Sequence, residues 1–120
     1  MRTIIAGSRN FTDYERFKSI INFCEYTKDI TEVVSGGAKG VDALGEKWAA
    51  ENNIPVKIFK ANWDEFGKSA GYKRNLEMAD YAEALIAIRL NNSKGTTHMI
   101  NIGMEKGLKS WHYDIIEEKK

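Results

Sequence analysis

The feature that most restricts this chain is an alternation repeated along its whole length. A short apolar run ends in a turn rich in Gly, Ser or Asn, and a stretch of helical periodicity follows. The strand-like runs are residues 2–6, closed by Gly7-Ser8; residues 32–35, closed by Gly36-Gly37; residues 56–59, behind the single Pro55; and residues 84–88, the most apolar stretch. Residues 111–115 alternate apolar with polar, the pattern of an edge strand with one partly wet face. Helices are predicted over residues 13–27, 41–52, 72–81 and from Thr96 to about Gly107. The first opens on Thr12-x-x-Glu15, which has capping-box spacing, and places Tyr14, Phe17, Ile20, Ile21 and Cys24 on one face. Val41, Leu44 and Trp48 mark the inner face of the second helix, and Tyr72, Leu76 and Ala79 that of the third. Met99 and Met104 read as core. Residues 61–70, with Gly67 and Ser69, read as a loop.

Parallel strands need long crossovers, and a helix in each crossover must pack back on the sheet. The pattern therefore predicts an α/β, Rossmann-like three-layer sandwich around a five-stranded parallel sheet. At 120 residues, with no Gly/Ser linker or repeat, residues 1–120 form one domain. Five Phe, five Tyr and three Trp would have to stay wet in a disordered chain, so folding is expected.

Composition also removes several functions. The lone Cys24 excludes an internal disulfide and points to a reducing, cytoplasmic setting. One Cys and two His cannot supply four zinc ligands, so no structural metal is expected, and no cofactor is implied. No run approaches the ~20 apolar residues of a membrane span, and no signal peptide is apparent, so no membrane partner is expected. A net charge of +1 is far from the basic balance of a duplex-binding module.

The chemistry lies in the strand-to-helix turns. Gly7-Ser8-Arg9, then Ser35-Gly36-Gly37-Ala38-Lys39-Gly40-Val41-Asp42, then Ser93-Lys94-Gly95-Thr96 would all open on one edge of the sheet. Glycine lets backbone N–H groups approach an anion, and each following helix adds its positive N-terminus. Hydroxyls come from Ser8, Ser35 and Thr96, and charge from Arg9, Lys39 and Lys94. Arg74-Asn75, behind Ser69-Ala70-Gly71, brings a guanidinium that can fork onto a phosphate. Asp42 suits either a ribose hydroxyl or the helix dipole. The Walker pattern and G-x-G-x-x-G are both absent, which argues against P-loop phosphoryl transfer and dinucleotide-fingerprint binding. His98 reads as structural before catalytic, His112 as exposed, and Trp63 as either a stacking surface or a packing residue.

Together, Gly7-Ser8-Arg9, the stretch from Ser35 to Asp42, Gly71-Tyr72-Lys73-Arg74-Asn75 and Lys94-Gly95-Thr96 resemble the YspA/cpYpsA-related branch of the SLOG superfamily, in the right order from Met1 to about Gly107. The resemblance implies a Rossmann-like domain that binds a nucleotide or nucleotide-derived ligand, and a homo-oligomer. Its nucleotide-binding residues would be Gly7, Ser8, Arg9, Ser35, Gly36, Gly37, Lys39, Gly40, Asp42, Arg74, Asn75, Gly95 and Thr96. The related lonely-guy phosphoribohydrolases carry P-G-G-x-G-T-x-x-E in the last turn. Here Asn91-Asn92-Ser93 replaces P-G-G, and Met99 stands where the glutamate is expected. A thioether cannot transfer a proton, so binding is expected and that hydrolytic mechanism is not. Two other readings remain open. One is a hydrolase cleaving an N-glycosidic or phosphate bond through Asp42 or His98. The other is a single-strand DNA-binding protein, by analogy with the DNA-processing protein A relatives.

Overall fold

A computed structural model describes residues 1–117. Five strands, β1 (Arg2–Gly7), β2 (Glu32–Ser35), β3 (Val56–Ile58), β4 (Ala84–Leu90) and β5 (Lys109–Ile115), form one parallel sheet in the order β3-β2-β1-β4-β5. The chain works outward from β1 to β3 and then crosses back to place β4 on the other side of β1. Right-handed crossovers in opposite directions put their helices on opposite faces. So α1 (Tyr14–Ile21) and α2 (Val41–Glu51) cover one face, and α4 (Ala70–Tyr81) and α5 (Lys94–Glu105) the other. The expected α/β sandwich is the observed fold.

Strand alternation divides the core. Ile5, Val33, Ile86 and Ile88 meet Phe17, Ile21, Val41 and Leu44 on the first face. Ile4, Val34, Leu85 and Ala87 meet Met78, Ala79, Met99 and Ile102 on the second. The central strands β1 and β4 are buried on both sides, which is why they read as unbroken apolar runs. As expected, β5 is an edge strand: Ser110, His112 and Asp114 are exposed on one face, while half-buried Trp111 and buried Ile115 pack against the core from the other.

Several expectations need correction. The first helix stops at Ile21, not near Thr27, because Asn22 caps it and the Thr27 hydroxyl takes up the Ile21 carbonyl at 2.6 Å. Cys24 is buried, yet it enters the core from the turns that follow α1 rather than from a helix face. Phe23 is turned out to solvent there, while Tyr26 is buried and donates to the Leu85 carbonyl at 2.7 Å.

Residues 61–70 are not simply a loop. Asn62 caps a one-turn helix, α3 (Trp63–Phe66), a 3-10 turn spans Gly67–Ser69, and α4 starts two residues earlier than predicted, at Ala70. The inner face of α4 is Ala70, Asn75, Met78 and Ala79, so Tyr72 and Leu76 point outward. Met104 is likewise exposed, since α5 packs through Met99, Ile100, Ile102 and Gly103.

Candidate functional site

Strand order reverses between β1 and β4, and a cavity of about 570 Å³ opens beyond their carboxyl ends. The β1–α1 turn gives it Gly7, Ser8, Arg9 and Asn10, and the β4–α5 turn gives Asn91, Ser93, Gly95 and Thr96. Helix α4 contributes Tyr72, Arg74, Asn75 and Met78, and α2 contributes Asp42. Trp63, Leu90 and Met99 add apolar wall, and Lys68 adds charge.

A second cavity of about 450 Å³ adjoins the first, sharing Arg9, Ala38, Trp63 and Arg74 with it. Gly36, Gly37 and Lys39 line this second space, together with Lys60 and Ala61 from the end of β3. Of the residues predicted from sequence, Gly7, Ser8, Arg9, Asp42, Arg74, Asn75, Gly95 and Thr96 thus surround the first cavity. Gly36, Gly37 and Lys39 surround the second. Ser35 and Gly40 line neither.

The reason for Ser35 is a local bond pattern. Its buried hydroxyl donates to Glu46 Oε2 at 2.7 Å and accepts the Gly37 N–H at 3.1 Å. Asp42 Oδ2 accepts the Ala38 N–H at 3.2 Å. Two amides of the glycine-rich turn, Gly37 and Ala38, are therefore satisfied by the turn's own side chains and are not free for an anion. Ser8 is also engaged within the fold. Its hydroxyl accepts the Leu90 N–H and lies 2.6 Å from the Ser93 hydroxyl, which in turn reaches Thr96 Oγ1 at 2.9 Å. This hydroxyl chain ties the β1 and β4 turns together across the floor of the cavity. With Ser93 so engaged, it gives α5 no side-chain cap, and the helix N-terminus faces the cavity.

Arg74 is the hinge between the two spaces. Its Nη1 donates to the Gly36 carbonyl at 2.8 Å and its Nε to Asn75 Oδ1 at 3.2 Å. A Cβ on Gly36 would lie 2.7 Å from Arg74 Nη1 and 2.9 Å from Asp42 Oδ2. Glycine stands at 36 because a guanidinium and a carboxylate close over it. Burial lowers the Arg74 pKa, and the neighbouring Arg9 charge adds to that, while Asp42 opposes it. Burial raises the Asp42 carboxyl, against the pull of the Ala38 N–H and the Arg74 charge.

The Arg74 guanidinium can only donate, so Asn75 must present Oδ1 to it and its amide nitrogen to His98 Nδ1, 3.0 Å away. His98 is then neutral, with its proton on Nε2, and Tyr72 packs edge-on against the ring at 4.2 Å. His98 supports the cavity wall from behind. Burial lowers its pKa below the ordinary imidazole value. The unfolded chain therefore takes a proton that the native state resists, and stability falls as pH drops below about 6.5. Asp42 acts in the opposite sense. Comparing the melting temperatures of wild type and His98→Gln between pH 7.5 and 5 isolates the histidine: the variant should show the flatter profile. Parallel profiles would mean that His98 titrates alike in both states.

Sequence reasoning missed Lys60, Asn91 and Met78. Asn91 has a readable signal, since Asn91 and Asn92 both take positive φ in the β4–α5 turn. Lys60 has none, because only the curl of the chain after β3 brings it to the glycine-rich turn. Among the described residues, no three of His, Cys, Asp or Glu gather as metal ligands would, and no helix is long and apolar enough to cross a membrane.

The pattern of the YspA, cpYpsA-related SLOG family matches residues 1–66, which hold β1 to β3 and the first two turns of the site. The chain belongs to that family. It is also similar to the Gene 61 protein of Mycobacterium phage D29, 34% identical over 114 residues that cover 89% of this chain and 91% of that protein. This likeness extends past Phe66, beyond the part that the family pattern reaches. No solved structure matches significantly.

Proposed function

We propose that this SLOG-family protein binds a nucleotide or nucleotide-derived small molecule at the β1/β4 switch point. The observation that carries the reading is the division of labour in the first cavity. Trp63 and Tyr72 offer aromatic surface to a base, with the buried Met78 and Met99 closing the wall, and Asp42 offers a carboxylate to a ribose. Arg9 and Arg74 stand with Trp63 where the two cavities meet, on the side that leads to Lys39, and suit a phosphate. A volume of about 570 Å³ is of mononucleotide scale. Native mass spectrometry of the purified protein, followed by calorimetry with AMP, GMP, CMP and UMP, tests it. Absence of any bound nucleotide, together with no binding heat from all four, would overturn it.

Binding without base release is the expected behaviour. Met99 is buried in the core beneath the cavity and brings no proton-transfer group to a glycosidic bond. Incubating the protein with the same monophosphates should give no free base above background by chromatography. Turnover that disappears in Asp42→Asn would make the protein a hydrolase instead.

A further inference from the structure

The second cavity has a charge distribution that a monophosphate does not use up. Four cationic side chains line it, Arg9, Lys39, Lys60 and Arg74, and no acidic residue does. Among the described residues none of the four forms an ion pair, although such pairs occur elsewhere on the surface. Arg9 is close enough for its charge to disfavour that of Arg74, and Asp42 is the carboxylate that bears on Arg74. Four like charges converging on a concave space with one carboxylate, Asp42, to offset them are held at a cost to the fold, which an anion bound there would relieve.

From this clustering we infer that the cavity between the glycine-rich turn and the end of β3 is a second phosphate subsite. The ligand it fits is a nucleoside diphosphate or a diphosphate-linked nucleotide rather than a monophosphate. Four cations less the Asp42 carboxylate leave three positive charges. A phosphate monoester brings about −1.5 to −2 at pH 7, and a diphosphate end one charge more, about −3. The geometry agrees with the charge. Arg9 and Arg74 border both cavities, so a first phosphate between them leaves the next one facing Lys39 and Lys60. The nucleoside half of this assignment rests on the proposed function above; the anion subsite does not.

Calorimetry at low and physiological salt, with orthophosphate, pyrophosphate and matched pairs such as AMP/ADP and GMP/GDP, separates the two. Wild type should bind pyrophosphate at least tenfold more tightly than orthophosphate, and the preferred diphosphate at least tenfold more tightly than its monophosphate. Lys60→Gln, at an exposed position, should lose most of that advantage while changing monophosphate affinity less than twofold. If pyrophosphate shows the preference and Lys60 dependence but no nucleotide binds, the subsite stands and the nucleotide reading falls. If nucleotides bind but the second phosphate adds nothing, or Lys60→Gln weakens mono- and diphosphates equally, the subsite is overturned. Absence of the pyrophosphate preference, with no nucleotide bound, overturns both.

Discussion

Gly40→Ala should leave little folded protein. Gly40 has φ +74° and ψ −130°, a region that side-chain-bearing residues avoid, and the strain alone is on the order of 1–3 kcal/mol. Space is the larger problem. An added Cβ would lie 2.3 Å from the Ser8 carbonyl oxygen and 2.6 Å from the Arg9 backbone. The Ser8 carbonyl cannot simply step aside, because it accepts the N–H groups of both Val41 and Phe11, at 3.3 Å each. Moving it would loosen the start of α2 and the turn after β1 together. A total of about 4 kcal/mol or more is expected, a large part of what a domain of this size has to lose. Gly95→Ala is the matched control, since it lies in the third of the same turns and an added Cβ there meets nothing within 4 Å. Urea unfolding should show Gly95→Ala close to wild type, with Gly40→Ala unfolded or strongly shifted. A shift below about 1 kcal/mol for Gly40→Ala would show that the two turns do not depend on their close approach.

That contrast also explains what the amino-acid sequence reveals and what it hides. The sheet is legible because β1 and β4 are buried on both faces and must be apolar throughout, as Ile4-Ile5 and Leu85-Ile86-Ala87-Ile88 are. Turns holding glycine mark where the strands end, so the edge of the sheet that bears the site is legible too. A glycine's reason is not. Gly36, Gly40 and Gly95 look alike in sequence, yet one lies under Arg74 and Asp42, one under the Ser8 carbonyl, and one beside open space. The extent of α1 is hidden because its apolar period runs on through Cys24, although the backbone has already turned. Helix α3 is hidden because one turn is too short to show a period, and Gly67 and Ser69 beside it carry loop signals. The face of α4 is misread because a polar residue, Asn75, takes the inward position that an apolar pattern assigns to its neighbours. Its amide is satisfied there by Arg74 and His98, and that pairing exists only once α4 and α5 are packed together.

Arg74→Lys should bind the preferred nucleotide about ten- to a hundredfold more weakly, although the charge is kept. Arg74 meets two structural acceptors, the Gly36 carbonyl and Asn75 Oδ1, through two different nitrogens and still presents the rest of its fork to the cavities. An ammonium is a point charge with no second arm, so it cannot hold the glycine-rich turn and face a phosphate at once. The loss corresponds to one charge-assisted hydrogen bond, about 1.5–3 kcal/mol. Stability should move less. The Ser35 and Asp42 bonds that shape the turn do not involve Arg74. Asn75→Asp makes the complementary variant: it keeps an oxygen for Arg74, removes the donor to His98 and adds a negative charge beside the guanidinium. If Arg74 recognises phosphate, Arg74→Lys loses affinity at unchanged melting temperature, and Asn75→Asp loses affinity through its charge. If Arg74 only braces the turn, Arg74→Lys lowers the melting temperature by several degrees and affinity falls no further than that loosening requires. Calorimetry and thermal unfolding on the same two variants separate these outcomes.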